Sequence, residues 1–302
     1  MKFDKTALSF EDQLGLLEAR GLKIEDSDRA KHYLSHLNYF RLAAYWLPFE
    51  LSGPPDKFKD NTTFDQILNH YIFDREFRLL LLDAIERIEV SFRTQWAYQI
   101  SHKYGPHGYL LNNNSIRKSE GHLHSSISYL QKEINRSDEE FVKHYKDKYD
   151  EELPPAWVSC ELMSLGLLSR FYGNLKAWDV RRNIAKTYDL DESFLEGFME
   201  HLTYVRNLCA HHSRLWNRHL IKKMPLPKNK PAGLAKNIYI DSANKTEHKI
   251  YNTLVLMVHL IQIISPHSNW KERIISLIDG HQIDSARMGF PANWKSLSIW
   301  KE

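Results

Sequence analysis

A long stretch without glycine or proline, residues 62–101, constrains the fold of this 302-residue chain more than any other feature. Thr63 and Gln66 at its start have the spacing of a capping box, and apolar residues follow at steps of three and four. Glycine and proline interrupt helices most often, and the first of them after this stretch is Gly105, followed by a proline. The sequence therefore predicts one long helix, or two helices in line, that ends near Gly105.

Helical periodicity recurs along most of the chain, and no segment alternates between apolar and polar residues as a half-buried strand would. A short helix is predicted after Ser9, and a second begins at residues 26–28 and runs into the segment AKHYLSHLNYFRLAAYWLPF. Further helices are predicted over residues 122–135, 138–149, 155–175, 247–264 and 270–278, and from residue 189 onward. We therefore expect an all-α fold built as a helical bundle.

The segment LSGPPDKFKDN, residues 51–61, is the clearest break in the first third of the chain. It predicts an N-terminal helical lobe of residues 1–55 and a helical body of residues 60–302. The hydrophobic content of 42% and the aromatic content of 12% are globular values, so the chain can bury a core. The aromatic tail, residues 288–300, is expected to pack against that core.

The sequence has the features of a cytoplasmic protein. Its two cysteines lack a CxxC spacing, and its N-terminus lacks the apolar core of a signal peptide. The longest apolar run, residues 253–264, is too short to span a bilayer and contains a histidine and a glutamine. We expect no membrane partner.

The residues that point to function lie in one stretch, RNLCAHHSRLWNR, residues 206–218, which we call the motif stretch. It contains three arginines, two asparagines and two adjacent histidines, and no Asp or Glu occurs from residue 206 to residue 236. Histidine moves protons near neutral pH and arginine binds phosphate oxygens, so this composition indicates chemistry on RNA. The cations assigned to RNA binding are Arg214, Arg218, Lys222, Lys223, Lys228 and Lys230.

Helical geometry separates the two residues best suited to catalysis. If the helix continued through the motif stretch, His211 would share a face with Asn207 and with the two following arginines. Arg206 would lie about 140° from His211 around the axis, at about 100° per residue. Either the reach of arginine or a second copy of the helix must then bring the two groups together. His212 points elsewhere and is expected to be supporting or structural.

RNA supplies its own nucleophile, because a 2′-hydroxyl lies next to each phosphate. A histidine can take or give the proton, and an arginine can stabilise the charge that grows on the phosphate oxygens. This reaction requires no metal and no other cofactor. A metal site is the main rival, but adjacent histidines on a helix diverge by about 100° and no HxxxH or HExxH motif accompanies them. A structural role in capping helix carbonyls is the other alternative.

Acidic residues outside the motif stretch are candidates for supporting roles. Glu161 lies in the apolar segment 155–175, so we expect it to be partly buried and paired with an arginine or histidine of the motif stretch. Glu89 and Arg93 form an i,i+4 pair, interpreted either as a solvated ion pair or as a support for the active site.

The string RNLCAH, residues 206–211, resembles the Arg-x4-His signature of HEPN domains, and its Arg-Asn start is typical of their ribonuclease members. The whole motif stretch resembles Abi-type bacterial abortive-infection proteins of the AbiD and AbiF kind. The likeness extends to RGLKIEDSDRAKHYLSHLNYFRLAAYWLPF, to PPAWVSCELMSLGLLSRFYGNL and to MGFPANW. It therefore covers most of the chain.

The resemblance implies a HEPN-like helical bundle in which Arg206 and His211 are catalytic and Asn207 supports them. HEPN ribonucleases usually combine two HEPN units into one cleft, cut RNA without metal and leave a cyclic phosphate. The candidate second motif begins at Arg93 and has Tyr98 where histidine is required, so residues 206–211 are the one copy with both the Arg-Asn start and the histidine. One intact motif favours a homodimer with the site at its interface, and a degenerate second unit within the chain is the alternative.

The function implied is phage defence by an endoribonuclease of an abortive-infection or toxin–antitoxin system. Such an enzyme halts growth when triggered and is restrained otherwise, for example by an inhibitory small RNA or an antitoxin. The competing hypothesis is a non-catalytic RNA-binding module regulated by a small RNA or a partner protein. RNA cleavage that depends on His211 distinguishes the two.

Overall fold

The computed structural model describes residues 6–53, 56–227, 231 and 233–301. These residues form twelve α-helices and no β-sheet, which confirms the all-α prediction. They build two compact units, one of the described residues through Arg78 together with Ile275–Ile283, the other of Leu79–Ile274 and the residues after Ile283. This division falls inside a helix, and the boundary predicted within residues 51–61 stays a prediction.

The first unit contains three short helices and the start of a long one: α1 (Phe10–Ala19), α2 (Ser27–His36), α3 (Tyr39–Trp46) and α4 (Phe64–Tyr104). The helix start predicted at residues 26–28 is confirmed, with Asp26 as the N-cap of α2. The single helix expected from there is wrong, because the chain breaks at Leu37. Asn38 then caps α3 by accepting the Phe40 N–H at 2.9 Å. As a result Phe40, assigned to the apolar side of that helix, is 81% exposed.

Helix α4 is the long helix expected from the glycine-free stretch, and it is a single helix of 41 residues. Its start is fixed by the predicted capping box. The Gln66 N–H donates to the Thr63 hydroxyl at 3.1 Å, and the Thr63 N–H donates to the Gln66 side chain at 3.1 Å.

A buried polar network holds α3 to the first part of α4. The Asp74 carboxylate is fully buried, accepts the Tyr45 hydroxyl at 2.6 Å and pairs with the Arg78 guanidinium one turn along α4. Desolvation and the neighbouring carboxylate raise the pKa of the Tyr45 phenol, so it remains a donor. A charge this deeply buried is tolerated only while its partners remain in place.

The remaining helices are α5 (Glu120–Arg136), α6 (Glu140–Lys148), α7 (Ala156–Ser159), α8 (Leu165–Gly173), α9 (Trp178–Thr187), α10 (Glu192–Ala210), α11 (Tyr251–Ile264) and α12 (Trp270–Gly280). The predicted continuous helix over residues 155–175 is instead divided into α7, a 3-10 turn and α8, because Ser164 caps a new helix at the Leu167 N–H. Helix α9 was not predicted. None of the helices within the described residues is both long enough and apolar enough to cross a membrane.

Helices α8 and α10 pack tightly and run antiparallel. A Cβ on Gly166 would lie 3.2 Å from Thr203, and a Cβ on Gly173 would lie 3.2 Å from Glu196. The first residues of α8 therefore lie beside the last turns of α10. The apolar seam predicted for α10 is buried as expected, with its members at 1% exposure or less: Leu195, Phe198, Leu202, Val205 and Cys209.

The aromatic tail is packed down, as predicted. Phe290, Trp294 and Trp300 are buried, and the ring centroids of Trp294 lie 4.9 Å from Phe290 and 5.2 Å from Trp300. Phe290 also contacts Tyr251, the first residue of α11, with centroids 4.7 Å apart. The tail therefore closes over the start of α11.

Candidate functional site

Helix α10 ends at Ala210, one residue before His211. The assumption that it continues through the motif stretch is therefore wrong. Arg214 and Arg218 lie in the loop that follows and do not share a helical face with His211.

The helix ends in a Schellman motif centred on His212. The N–H of His212 donates to the Cys209 carbonyl at 3.1 Å, and the N–H of Ser213 donates to the Leu208 carbonyl at 2.9 Å. His212 has φ 56°, in the left-handed region that this position usually reserves for glycine. That conformation costs a residue with a side chain about 1 kcal/mol. The second histidine thus turns the chain out of the helix, and the supporting or structural role expected for it stays a prediction.

Asn207 links the two predicted catalytic residues. Its side-chain oxygen accepts the Arg206 guanidinium at 3.4 Å, and its carbonyl accepts the N–H of His211 at 3.0 Å. His211 itself is exposed, while Arg206 is half-buried. The structure therefore brings Arg206 and Asn207 together and presents His211 to solvent on a fixed backbone.

The loop after the cap, residues 213–225, which we call the return loop, is anchored and then runs back along α10. Leu215 and Trp216 are buried. The N–H of Ile221 donates to the Tyr204 hydroxyl on α10 at 3.3 Å. The Arg218 guanidinium donates to a carbonyl of the same loop, that of Arg214, at 3.1 Å. Arg218 therefore forms a hydrogen bond within the return loop and stabilises its conformation.

Residues 206–236 contain no Asp or Glu, but acidic side chains from other segments pair with two of their lysines. Lys222 pairs with Glu200 at 2.6 Å, and Lys223 pairs with Glu247 at 3.4 Å. The Lys222–Glu200 pair is solvent-exposed, where such a bond contributes little stability, whereas Glu247 of the second pair is half-buried. Two further lysines assigned to RNA binding lie outside the described residues: Lys228 and Lys230.

Residues 32–217 match the sequence model of the Abi-like protein family. The match covers more than half of the chain and includes all of α10 and its cap. The chain belongs to the Abi-like protein family. It has no significant match among curated proteins or solved structures. Because the family match ends at residue 217, it includes Arg206, Asn207 and His211 but not the lysines of the return loop.

The prediction that Glu161 of this Abi-like protein is partly buried and paired with the motif stretch is wrong. Its side chain is 49% exposed and lies 3.6 Å from the Arg93 guanidinium. Arg93 also donates to Glu89 at 2.6 Å and to the Met163 carbonyl at 2.7 Å. The Glu89–Arg93 pair is largely buried, so it is not a solvated pair. Met163 precedes the start of α8, so this ion cluster lies at the same end of the α8–α10 pair as Arg206.

Both cysteines are buried thiols. Burial and the neighbouring Glu161 carboxylate raise the pKa of Cys160 to about 12. Within the described ranges, no three His, Cys, Asp or Glu side chains cluster as metal ligands would.

A buried histidine that the sequence did not single out fastens the return loop to the helices. His201 on α10 places Nδ1 3.0 Å from the Lys222 carbonyl and Nε2 2.8 Å from the Thr253 hydroxyl on α11. Because a carbonyl can only accept, the neutral ring donates from Nδ1 and accepts the hydroxyl at Nε2. Burial lowers the pKa of His201 to about 4.

Folding stability is therefore expected to fall as the pH falls from about 6.5 towards 4. The unfolded chain binds a proton at His201 near pH 6.5, its ordinary pKa, whereas the folded chain stays neutral, so stability rises with pH across this window. His201 alone should account for roughly 2 kcal/mol between pH 7 and pH 4.5. Urea unfolding at the two pH values measures the difference.

The variant His201→Gln supplies the control, since glutamine does not titrate. Its unfolding free energy should change less between pH 7 and pH 4.5 than that of the wild type. An equal change in both proteins would contradict the assignment of this pH dependence to His201.

Proposed function

We propose that this Abi-like protein is a metal-independent endoribonuclease of a bacterial abortive-infection or toxin–antitoxin phage-defence system. The observation that carries the proposal is the end of α10. There the Arg206 guanidinium donates a hydrogen bond to the Asn207 side chain, and His211 is exposed while its backbone N–H is held by the Asn207 carbonyl. The family match suggests the defence role, and the HEPN-like motif suggests the chemistry.

The proposed reaction uses groups of the RNA and of the motif. A histidine removes the proton from a 2′-hydroxyl, whose oxygen attacks the adjacent phosphorus. The bond from phosphorus to the 5′-oxygen breaks, and a second acid gives that oxygen a proton. Arginine stabilises the charge on the non-bridging oxygens. The products are a 2′,3′-cyclic phosphate and a 5′-hydroxyl, and no electrons are exchanged.

Two copies of the chain satisfy this reaction better than one. The base and the acid act on opposite sides of the phosphorus, and each chain has one Arg-Asn-x3-His motif, residues 206–211. His211 keeps the helical N–H bond to Asn207, so it remains about 140° around the axis from Arg206. Ile221 is 80% exposed beside the last turns of α10. A homodimer that pairs these ends would cover Ile221 and supply both histidines.

The proposal predicts that purified protein cleaves single-stranded RNA in the presence of EDTA. A substrate with a single 2′-deoxynucleotide at the cleaved position should resist cleavage by at least about 10²-fold, because the nucleophile is missing. Gel analysis of end-labelled RNA measures the rate. The upstream fragment should carry a cyclic phosphate at its 3′ end, and the downstream fragment should begin with a 5′-hydroxyl. The rate per mole of protein should fall on dilution below the dimer dissociation constant.

Two outcomes would contradict the proposal. Cleavage that disappears in EDTA and returns with a divalent cation would indicate a metal-dependent nuclease. Tight binding of RNA with no shortening at any protein concentration would favour the non-catalytic RNA-binding module. A bound small RNA is compatible with the proposal, so co-purifying RNA should be removed and sequenced before the assay.

A further inference from the structure

Two exposed aromatic rings on neighbouring helices each have a basic side chain against them. On α9, the Arg182 guanidinium lies 4.8 Å from the centroid of the Trp178 ring, and Trp178 is 58% exposed. On α4, the imidazole of His102 lies against Tyr98 with ring centroids 3.9 Å apart, and Tyr98 is 54% exposed. In both pairs the spacing is i,i+4, so the basic group comes from the next turn of the same helix and much of the ring stays in water.

Side-chain contacts hold the two helices together along the stretch that carries these pairs. The Lys103 ammonium pairs with the Asp179 carboxylate, and the Thr187 hydroxyl donates to the Gln95 side chain at 3.1 Å. The two contacts are equally far apart on α4 and on α9 and come in opposite order, so the helices run antiparallel and side by side there. We call the surface formed by the two pairs the aromatic platform: Tyr98, His102, Trp178 and Arg182.

The charge of the aromatic platform is positive. Residues 90–104 of α4 contain no Asp or Glu, and Asp179, already paired with Lys103, is the one acidic residue from 176 to 188. Lys176 and Lys186 are exposed on either side of Arg182 along the chain. Within the part of the chain that the structure describes, Lys176, Arg182 and Lys186 form no ion pair. Open aromatic faces and unpaired cations therefore occur together.

This combination suits a single strand of nucleic acid. Every base has a flat π-face, and bases stack on exposed aromatic side chains with little regard to sequence. Cations beside the rings neutralise the phosphates that flank each stacked base. A duplex keeps its bases stacked on one another, so a single strand is the form that fits. An acidic peptide would use the cations but would not supply a flat ring for each aromatic face.

The aromatic platform lies away from the motif stretch. Arg181, the residue before Arg182, pairs with Glu196 near the start of α10. Arg206 follows Glu196 by ten residues on the same helix, which is about 15 Å along its axis. A strand bound on the platform is therefore held outside the bond that the motif would cut.

We propose that the aromatic platform binds single-stranded RNA by stacking bases on Trp178 and Tyr98, at a distance from the cleavage site. Arg182 stays against the Trp178 ring and donates from its edge to a phosphate oxygen. The choice of RNA rests on the proposed function, because stacking does not distinguish RNA from DNA. The platform contributes affinity and takes no part in proton transfer.

The test measures RNA binding with cleavage blocked. Fluorescein-labelled single-stranded RNA is titrated with His211→Ala protein, the parent, over a series of KCl concentrations, and the dissociation constant is read from anisotropy. Adding Trp178→Ala or Tyr98→Ala should weaken binding by about tenfold. The slope of log K against log salt should stay unchanged, because the rings have no charge. Arg182→Gln should also weaken binding and should reduce the slope by about 0.7.

Two substitutions elsewhere are the matched controls. Phe40→Ala removes an aromatic side chain that is 81% exposed on α3, and Lys132→Gln removes an exposed cation on α5. Both should bind RNA as the parent does. A labelled strand of the same length with abasic sugars separates stacking from charge. Trp178→Ala should bind that strand as tightly as the parent, because no base is left to stack.

Affinities of Trp178→Ala and Tyr98→Ala equal to that of Phe40→Ala would overturn the inference. The two rings lie on different helices, so either variant decides if the other fails to fold. An equal loss of affinity on the abasic strand would overturn it as well, since the rings would then not stack bases. Loss of a co-purifying protein by Trp178→Ala at unchanged RNA affinity would indicate a protein partner and also overturn it.

Cleavage assays with His211 intact distinguish failure of this inference from failure of the proposed function. Wild-type cleavage together with normal RNA binding by Trp178→Ala and Tyr98→Ala removes the platform alone. Weaker binding by both variants without any wild-type cleavage removes the nuclease and leaves the platform.

Discussion

Replacing His211 by alanine is expected to reduce RNA cleavage by about 10³-fold while leaving the fold and the proposed dimer intact. The imidazole is the proposed proton-transfer group of the motif, and loss of general acid–base catalysis by one histidine typically costs about 10²- to 10⁴-fold. The side chain is exposed and its structural contact is made by the backbone N–H, which alanine retains. Single-turnover cleavage of end-labelled RNA, with circular dichroism and sedimentation as checks on the protein, measures the effect.

The adjacent histidine provides a matched control. His212→Asn removes the same imidazole chemistry one residue away, and asparagine accepts the left-handed conformation that this position requires. Its cleavage rate should stay within a few-fold of the wild type. Equal losses of cleavage rate in the two variants would show that both substitutions disturb the structure of the motif stretch. An unchanged rate for His211→Ala would show that His211 takes no part in the mechanism.

Replacing Asp74 by alanine is expected to cost about 3–5 kcal/mol of folding free energy, the largest stability effect anticipated in the first unit. The change leaves the buried Arg78 guanidinium without its carboxylate and the Tyr45 hydroxyl without its acceptor. The Arg78 guanidinium then remains desolvated with no carboxylate to compensate its charge. Urea unfolding monitored by circular dichroism gives the free energy.

Asp65→Ala on the same helix is the comparison for that variant. Asp65 pairs with Arg29, but their side chains are 44% and 47% exposed, so its loss should cost less than about 1 kcal/mol. If Asp65→Ala and Asp74→Ala destabilised the protein equally, burial of the Asp74 network would not be the cause.

The position of a helix could be predicted from sequence where a capping signal or a regular apolar spacing marks it and the structure buries the same residues. The Thr63–Gln66 capping box and the absence of glycine gave α4, and the spacing from Leu195 to Cys209 gave the buried seam of α10. The short helices could not be predicted, because their local sequence gives no clear signal of where they begin or end. Helix α9 carries too few apolar repeats to stand out, and Ser164 starts α8 inside a segment that is apolar throughout.

The candidate site was predictable only as a set of residue types along the chain. Helix α10 ends at Ala210, and His212 beyond it has a left-handed conformation that sequence rules assign to glycine. The sequence therefore predicts a helix that continues beyond its observed end. The absence of acids along the return loop did not reveal Glu200 and Glu247, which reach it from other segments. Contacts such as that of Gly289 with Lys249 join residues far apart in sequence, and no local pattern records them.

The burial of both native cysteines makes this chain suited to site-specific labelling. With the pKa of Cys160 raised to about 12 and Cys209 at 1% exposure, neither thiol offers thiolate to a maleimide at neutral pH. A cysteine introduced at Ile221, which is 80% exposed beside α10, would be the reactive one. Donor and acceptor dyes on two such copies would report when two motif ends meet, so association could be timed against the first cut in the RNA.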